Sequence, residues 1–212
     1  MKREEIRGKE WQFPFVAYYP SSLNEKLPLV VQLHGAGETG DGEGELIKVE
    51  KHGFSPILSI DDDLPCIVVM PQCKPETFWA AEIPNLYSFL IKLFESYPID
   101  QNRVYLAGIS MGAYGTWLMA SRYPDMFAAI APVCGGGMPW KANVLKMPIW
   151  AFHGTEDDIV NPTESLNMIK NIRQNPNHDP DVRLTMLDGV AHNAWDYAFN
   201  KDLLNWLLSK HK

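Results

Sequence analysis

The chain has 212 residues, 46% of them hydrophobic, enough to bury a sizeable core within one globular domain covering residues 1–212. Its formal net charge is −7, with no basic cluster longer than Lys2-Arg3, which excludes nucleic acid and anionic membrane surfaces as expected partners. No run approaches the length of a membrane span, and residues 1–10 are charged where a signal peptide would be apolar. Cys66, Cys73 and Cys134 are an odd set, two of them inside apolar runs. Reduced, buried thiols in a soluble cytoplasmic protein are therefore expected.

In chain order, residues 13–19 form an apolar and aromatic run that predicts an early strand. Leu27–Leu33 is almost continuously apolar, as a strand covered on both faces would be, and it runs into His34-Gly35-Ala36-Gly37. The glycine-rich acidic stretch 38–45 reads as a solvated loop. It lacks the lysine of a phosphate-binding loop and the alternating acids of a calcium loop. Asp61-Asp62-Asp63 could attract a cation but reads as a surface turn ahead of a buried strand at 66–70.

Residues 83–97 have helical spacing, with Pro84 suited to the first turn. Residues 104–107 predict a buried strand, and helical periodicity begins at Met111 and reaches Tyr123. Between them lies Gly108-Ile109-Ser110-Met111-Gly112, a G-x-S-x-G whose glycines let neighbouring backbone crowd the serine. Residues 127–134 and 148–152 predict two further strands. Asn161-Pro162-Thr163-Glu164 predicts a helix start, with Asn161 as cap and Glu164 placed for the reciprocal bond. Val182–Leu187 alternates as an outer strand would, and residues 194–208 predict a closing amphipathic helix. Strands alternating with helices imply an α/β fold: a mostly parallel central sheet covered on both faces.

Ligands of such sheets collect beyond the carboxyl ends of the strands. His34-Gly35, Ser110, Asp157 and His192 each follow a predicted strand end. A serine hydroxyl becomes a useful nucleophile only with a base, and a histidine base needs a partner that fixes its tautomer. Of the six histidines, His52, His178 and His211 have no strand end beside them, His34 reads as a structural hydrogen-bonder, and His153 reads as part of a packed turn. His192, between the last strand and the last helix, is the expected base. The orienting acid is expected among Glu156, Asp157 and Asp158, with Asp157 ahead of Asp158. The Met111 N–H, at a helix start beside the serine, suits a developing oxyanion.

The order Ser110, Asp157, His192 is nucleophile, acid, base, and here the chain resembles the α/β-hydrolases. It looks like a small carboxylesterase, acyl-thioesterase or dienelactone hydrolase, and is also similar to predicted-peptidase and feruloyl-esterase-like branches. The resemblance runs from Leu29 to Trp206, through Leu33-His-Gly-Ala-Gly37, Gly108-Ile-Ser-Met-Gly112, His153-Gly-Thr-Glu-Asp157 and Gly189-Val-Ala-His192. It implies Asp157 as the acid, the Ala36 and Met111 N–H groups as the oxyanion hole, and no metal or cofactor. Only residues 135–147 separate the strands between which many relatives insert a lid, so no sizeable lid is expected.

The activity implied is hydrolysis of soluble short-acyl or aromatic esters through an acyl-enzyme, with a small-molecule ester as the partner. The rival readings are a serine peptidase of the same fold, an acyltransferase, and a non-catalytic binding protein. Trp79, Trp140 and Trp195 are expected either to line the substrate pocket or to pack in the core.

Overall fold

The computed structural model describes residues 1–44, 46–60 and 64–212. Glu45 of the acidic loop and the aspartate turn at Asp61, Asp62 and Asp63 lie outside them. Eight strands join in one sheet among the described residues: β1 (Lys2–Ile6), β2 (Phe15–Tyr19), β3 (Leu27–Leu33), β4 (Ile67–Pro71), β5 (Ile99–Ile109), β6 (Ala129–Val133), β7 (Ile149–Gly154) and β8 (Val182–Leu187). Their spatial order is β1-β2-β4-β3-β5-β6-β7-β8. β1, β2 and β4 pair antiparallel, and every pairing from β4 to β8 is parallel.

Side-chain alternation along the central strand divides the core into two layers. Val104 and Leu106 of β5 face a cluster that includes Leu86, Phe89, Leu90 and Leu93 of α2 (Ile83–Ser96), Trp117 of α3 (Met111–Arg122) and Met168 and Ile172 of α4 (Thr163–Arg173). Tyr105, Ala107 and Ile109 face the opposite cluster, with Leu58 of α1 (Ser55–Leu58), Ala198 of α5 (Trp195–Ala198) and Leu203, Leu204 and Leu207 of α6 (Lys201–Leu208). Each fully buried large apolar side chain contributes roughly 1.5–3 kcal/mol of transfer free energy, so both layers hold the sheet rigid beneath the loops at its carboxyl edge.

Four details depart from the sequence reading. β1 is a strand although its residues are mostly charged, because it sits at the sheet edge. There exposed charge is compatible with pairing and blocks further strand addition. β5 extends back to Ile99, through Asp100, Gln101, Asn102 and Arg103, polar residues that carry no apolar signal. The closing helix is two helices, α5 and α6, because the backbone leaves the helical conformation at Phe199 and Asn200 caps the second, its Oδ1 accepting from the Leu203 N–H at 3.0 Å. At α4 the expected cap is not formed: Pro162, not Asn161, stands at the cap position and no side chain caps the helix. Asn161 Oδ1 accepts from the Thr163 N–H at 3.0 Å in a local turn, and Glu164 packs beside Gly136. β8 is the outer strand expected of its alternation. The connection from β6 to β7 holds only a 3-10 helix, Pro139–Val144, so no sizeable lid covers the carboxyl edge there. No helix among the described residues is long and apolar enough to cross a membrane.

Candidate active site

Ser110 sits between β5 and α3 at φ 52° and ψ −112°, a conformation that costs a non-glycine residue about 1–3 kcal/mol. The surroundings hold it there. Its N–H donates to the Val133 carbonyl of β6 at 2.9 Å, and its carbonyl accepts from the Ala113 and Tyr114 N–H groups. The flanking glycines are needed for contact rather than for flexibility. A Cβ on Gly108 would stand 2.2 Å from the Gly112 carbonyl oxygen, and one on Gly112 would stand 2.2 Å from that of Leu33.

His192 lies on the loop after β8, with Nε2 2.9 Å from Ser110 Oγ and Nδ1 2.7 Å from Asp157 Oδ2. A carboxylate at Nδ1 fixes the tautomer. Nδ1 carries the hydrogen, and the Nε2 lone pair faces the serine hydroxyl. Asp157 Oδ1 accepts from the N–H groups of Ile159 at 3.0 Å and Val160 at 2.9 Å. Burial alone would raise the Asp157 carboxyl. The hydrogen bonds from His192, Val160 and Ile159 outweigh it and hold the group below the usual carboxylate range, so it is charged at neutral pH. Asp157 is buried, whereas Glu156 and Asp158 are exposed; Asp157 is the acid brought to His192.

The turn after β7 and the loop after β8 are joined by backbone. Thr155 N–H donates to Leu187 O and Glu156 N–H to Val190 O, both at 3.0 Å. A Cβ on Gly154 would meet the carbonyl oxygens of Val190 at 2.1 Å and Ala191 at 2.4 Å. Gly154→Ala should therefore push the His192 loop away from Ser110. The expected result is a fall in kcat larger than the loss of folded protein, checked by turnover and thermal unfolding of the same sample.

On the other side of Ser110, the 3-10 turn Ala36–Glu38 follows β3. A Cβ on Gly35 would come within 3.8 Å of Ser110 Cβ, so this turn backs directly onto the serine. Ala36 and Met111 each open a helical turn, where N–H groups lack intrahelical acceptors. His34 is buried beneath the turn. Its Nδ1 donates to Gly35 O at 2.6 Å and its Nε2 accepts from the Cys73 N–H at 2.9 Å. Burial pushes this imidazole down to about 4, which keeps it neutral. Cys66, Cys73 and Cys134 are free and buried, and burial raises each thiol to about 12.

The tryptophans divide three ways. Trp79, a candidate for the substrate pocket, is fully buried, because its Nε1 donates to His34 O at 3.0 Å and its ring packs on Phe13 and His34. It supports the turn from below and does not line a pocket. Trp140 is 75% exposed on the 3-10 helix after β6. Trp195 packs edge-to-face against His192, ring centroids 5.1 Å apart, and so braces the imidazole. The depression beside Ser110, about 380 Å³, is lined by Phe78, Ala80, Ser110, Met111 and Tyr114. Phe78 and Tyr114 are aromatic and were not singled out from sequence. Tyr114 carried a usable signal, being four residues after Ser110 on a helix and hence on the same face. A larger depression, about 930 Å³, lies at the amino ends of the strands around Asn102, Ala128 and Pro148, at the other edge of the sheet from Ser110.

Residues 78–163 match the family described as esterase PHB depolymerase. Over 185 residues the chain is 29% identical to the bifunctional acetylxylan esterase/xylanase XynS20E of Neocallimastix patriciarum, covering 81% of this chain and 25% of that one. It is 30% identical over 139 residues to poly(3-hydroxyalkanoate) depolymerase C of Paucimonas lemoignei, covering 58% and 31%. The chain thus spans between a quarter and a third of the length of these two relatives. Among solved structures it is similar to a thermostable esterase, with a TM-score of 0.82 and 28% identity over 100% of this chain and 63% of that one.

Proposed function

We propose that this chain, a member of the α/β-hydrolase superfamily, is a serine carboxylic ester hydrolase acting through an acyl-enzyme on soluble short-acyl or aromatic esters. The observation that carries the reading is the continuous line from Ser110 Oγ through the His192 imidazole to the buried Asp157 carboxylate. In the proposed reaction Ser110 Oγ attacks the ester carbonyl as its proton passes to His192 Nε2. Asp157 stabilises the imidazolium that results. The Ala36 and Met111 N–H groups receive the oxyanion, each such donor contributing about 3–4 kcal/mol at the transition state. His192 then protonates the departing alcohol. Water, deprotonated by the same imidazole, attacks the acyl-enzyme and returns the serine.

Similarity to an acetylxylan esterase and to a thermostable esterase supports ester chemistry. The depression flanked by Phe78 and Tyr114 supports a short or flat acyl group, since both rings offer apolar faces beside the nucleophile. The three buried free thiols support a cytoplasmic setting, and the single continuous sheet supports reading residues 1–212 as one domain.

A panel that varies acyl and alcohol parts separately tests the reading. The expected result is the highest kcat/KM on acetyl, butyryl or aromatic acyl esters, falling steeply as the acyl chain lengthens. Turnover that rises with chain length, or cleavage of peptide amides in preference to esters, would overturn it.

A further inference from the structure

We infer that His153 is a positioning residue for the relay, holding the Asp157 turn through the Val160 carbonyl with its ring beside the carboxylate; the inference rests on the serine-hydrolase reading above. His153 closes β7, is fully buried, and stands with Nε2 3.2 Å from Asp157 Oδ2, the same oxygen that takes the hydrogen bond from His192. Nε2 also lies 2.9 Å from the Val160 carbonyl oxygen. The Val160 carbonyl is an acceptor, so Nε2 carries a hydrogen directed at it, and the ring edge stands against Asp157 Oδ2.

The ring is itself held on its far side. His153 Nδ1 is 2.8 Å from Ser165 Oγ on α4, and that hydroxyl lies 2.9 Å from the Gly135 carbonyl, just past β6. The imidazole therefore ties α4 and the end of β6 to the acid. The division of labour on Asp157 follows from these contacts. The Ile159 and Val160 N–H groups fix Oδ1, and His153 holds Val160 by its carbonyl while its ring stands against Oδ2. A misplacement of this oxygen is passed directly to the His192 ring and so to Ser110.

The arrangement predicts a split in kinetic constants. His153 touches neither Ser110 nor the proposed pocket, so its loss should act on proton transfer and leave substrate binding alone. His153→Leu should lower kcat on p-nitrophenyl acetate by about 10–100-fold, the scale of a misplacement near 1 Å, with KM unchanged. Rates are normalised to sites titrated with a fluorophosphonate, and thermal unfolding is measured alongside. His153→Gln, whose side-chain amide can again offer an N–H to the Val160 carbonyl, should recover most of the loss. Should His153→Leu fail to fold, Ser165→Ala, which releases the far side of the ring, should show a smaller fall in kcat with KM unchanged.

A folded His153→Leu, or Ser165→Ala in its place, with wild-type kcat per titrated site would overturn the inference, as would a His153→Gln no better than His153→Leu. With wild-type turnover and labelling intact, those results would sink the role of His153 alone. A wild type that neither hydrolyses esters nor takes the label would sink the serine-hydrolase reading as well.

Discussion

Ser110→Ala should lower kcat on p-nitrophenyl acetate by roughly 10⁵–10⁶-fold while the protein folds normally, because loss of a triad serine removes the covalent route altogether. The substitution deletes one oxygen, the atom 2.9 Å from His192 Nε2. The backbone that aims the residue is set by its neighbours: Val133 O holds its N–H, and Gly108 and Gly112 admit the carbonyls of Gly112 and Leu33. Alanine should adopt the same φ of 52° at similar cost, so thermal unfolding should change little. Steady-state kinetics on purified protein check the result. A variant that keeps more than trace turnover would show that another group performs the attack.

Asp157→Asn should lower kcat by about 10⁴-fold, as removal of the acid alone does in such triads. The carboxylate accepts from the His192 Nδ1 hydrogen at 2.7 Å. An asparagine amide placed there can turn its NH₂ toward the ring, which would draw the imidazole hydrogen to Nε2 and leave no lone pair for the serine proton. Asp158→Asn should leave kcat close to wild type, since Asp158 is exposed while Asp157 is buried. The two variants differ by one position and the same chemistry, so their contrast isolates the hydrogen bond to His192. A larger loss for Asp158→Asn would move the acid by one residue.

Much of this arrangement is legible in the amino-acid sequence where a local rule has a strong signal. The G-x-S-x-G turn announces itself because steric crowding permits only glycine at 108 and 112. The parallel sheet follows from apolar runs alternating with helical periodicity, and the outer position of β8 from its alternating pattern. Where burial decides, the sequence is silent. Asp157 and Asp158 are the same residue type side by side, and only the fold buries one of them.

The same limit explains Trp79. An aromatic residue on a loop reads equally as pocket wall or core, and its hydrogen bond to His34 O places it in the core. The depression beside Ser110 joins Phe78, on the loop after β4, to Tyr114 on α3, a pairing across distant segments that no periodicity encodes. The edge strand β1 escapes notice because exposed charges carry no apolar signal. Asn200 was readable as a helix cap within the pattern at 194–208 but is masked by the apolar spacing on either side.

The proposed reaction depends on a single activated hydroxyl, so covalent capture of that oxygen is its most direct test. Wild-type protein treated with a fluorophosphonate and digested should carry one label, on the peptide containing Ser110, with loss of ester turnover in proportion to labelling. His192→Ala should take the label far more slowly, because the hydroxyl then has no base 2.9 Å away. A label on any other residue, or full labelling with turnover retained, would contradict the account.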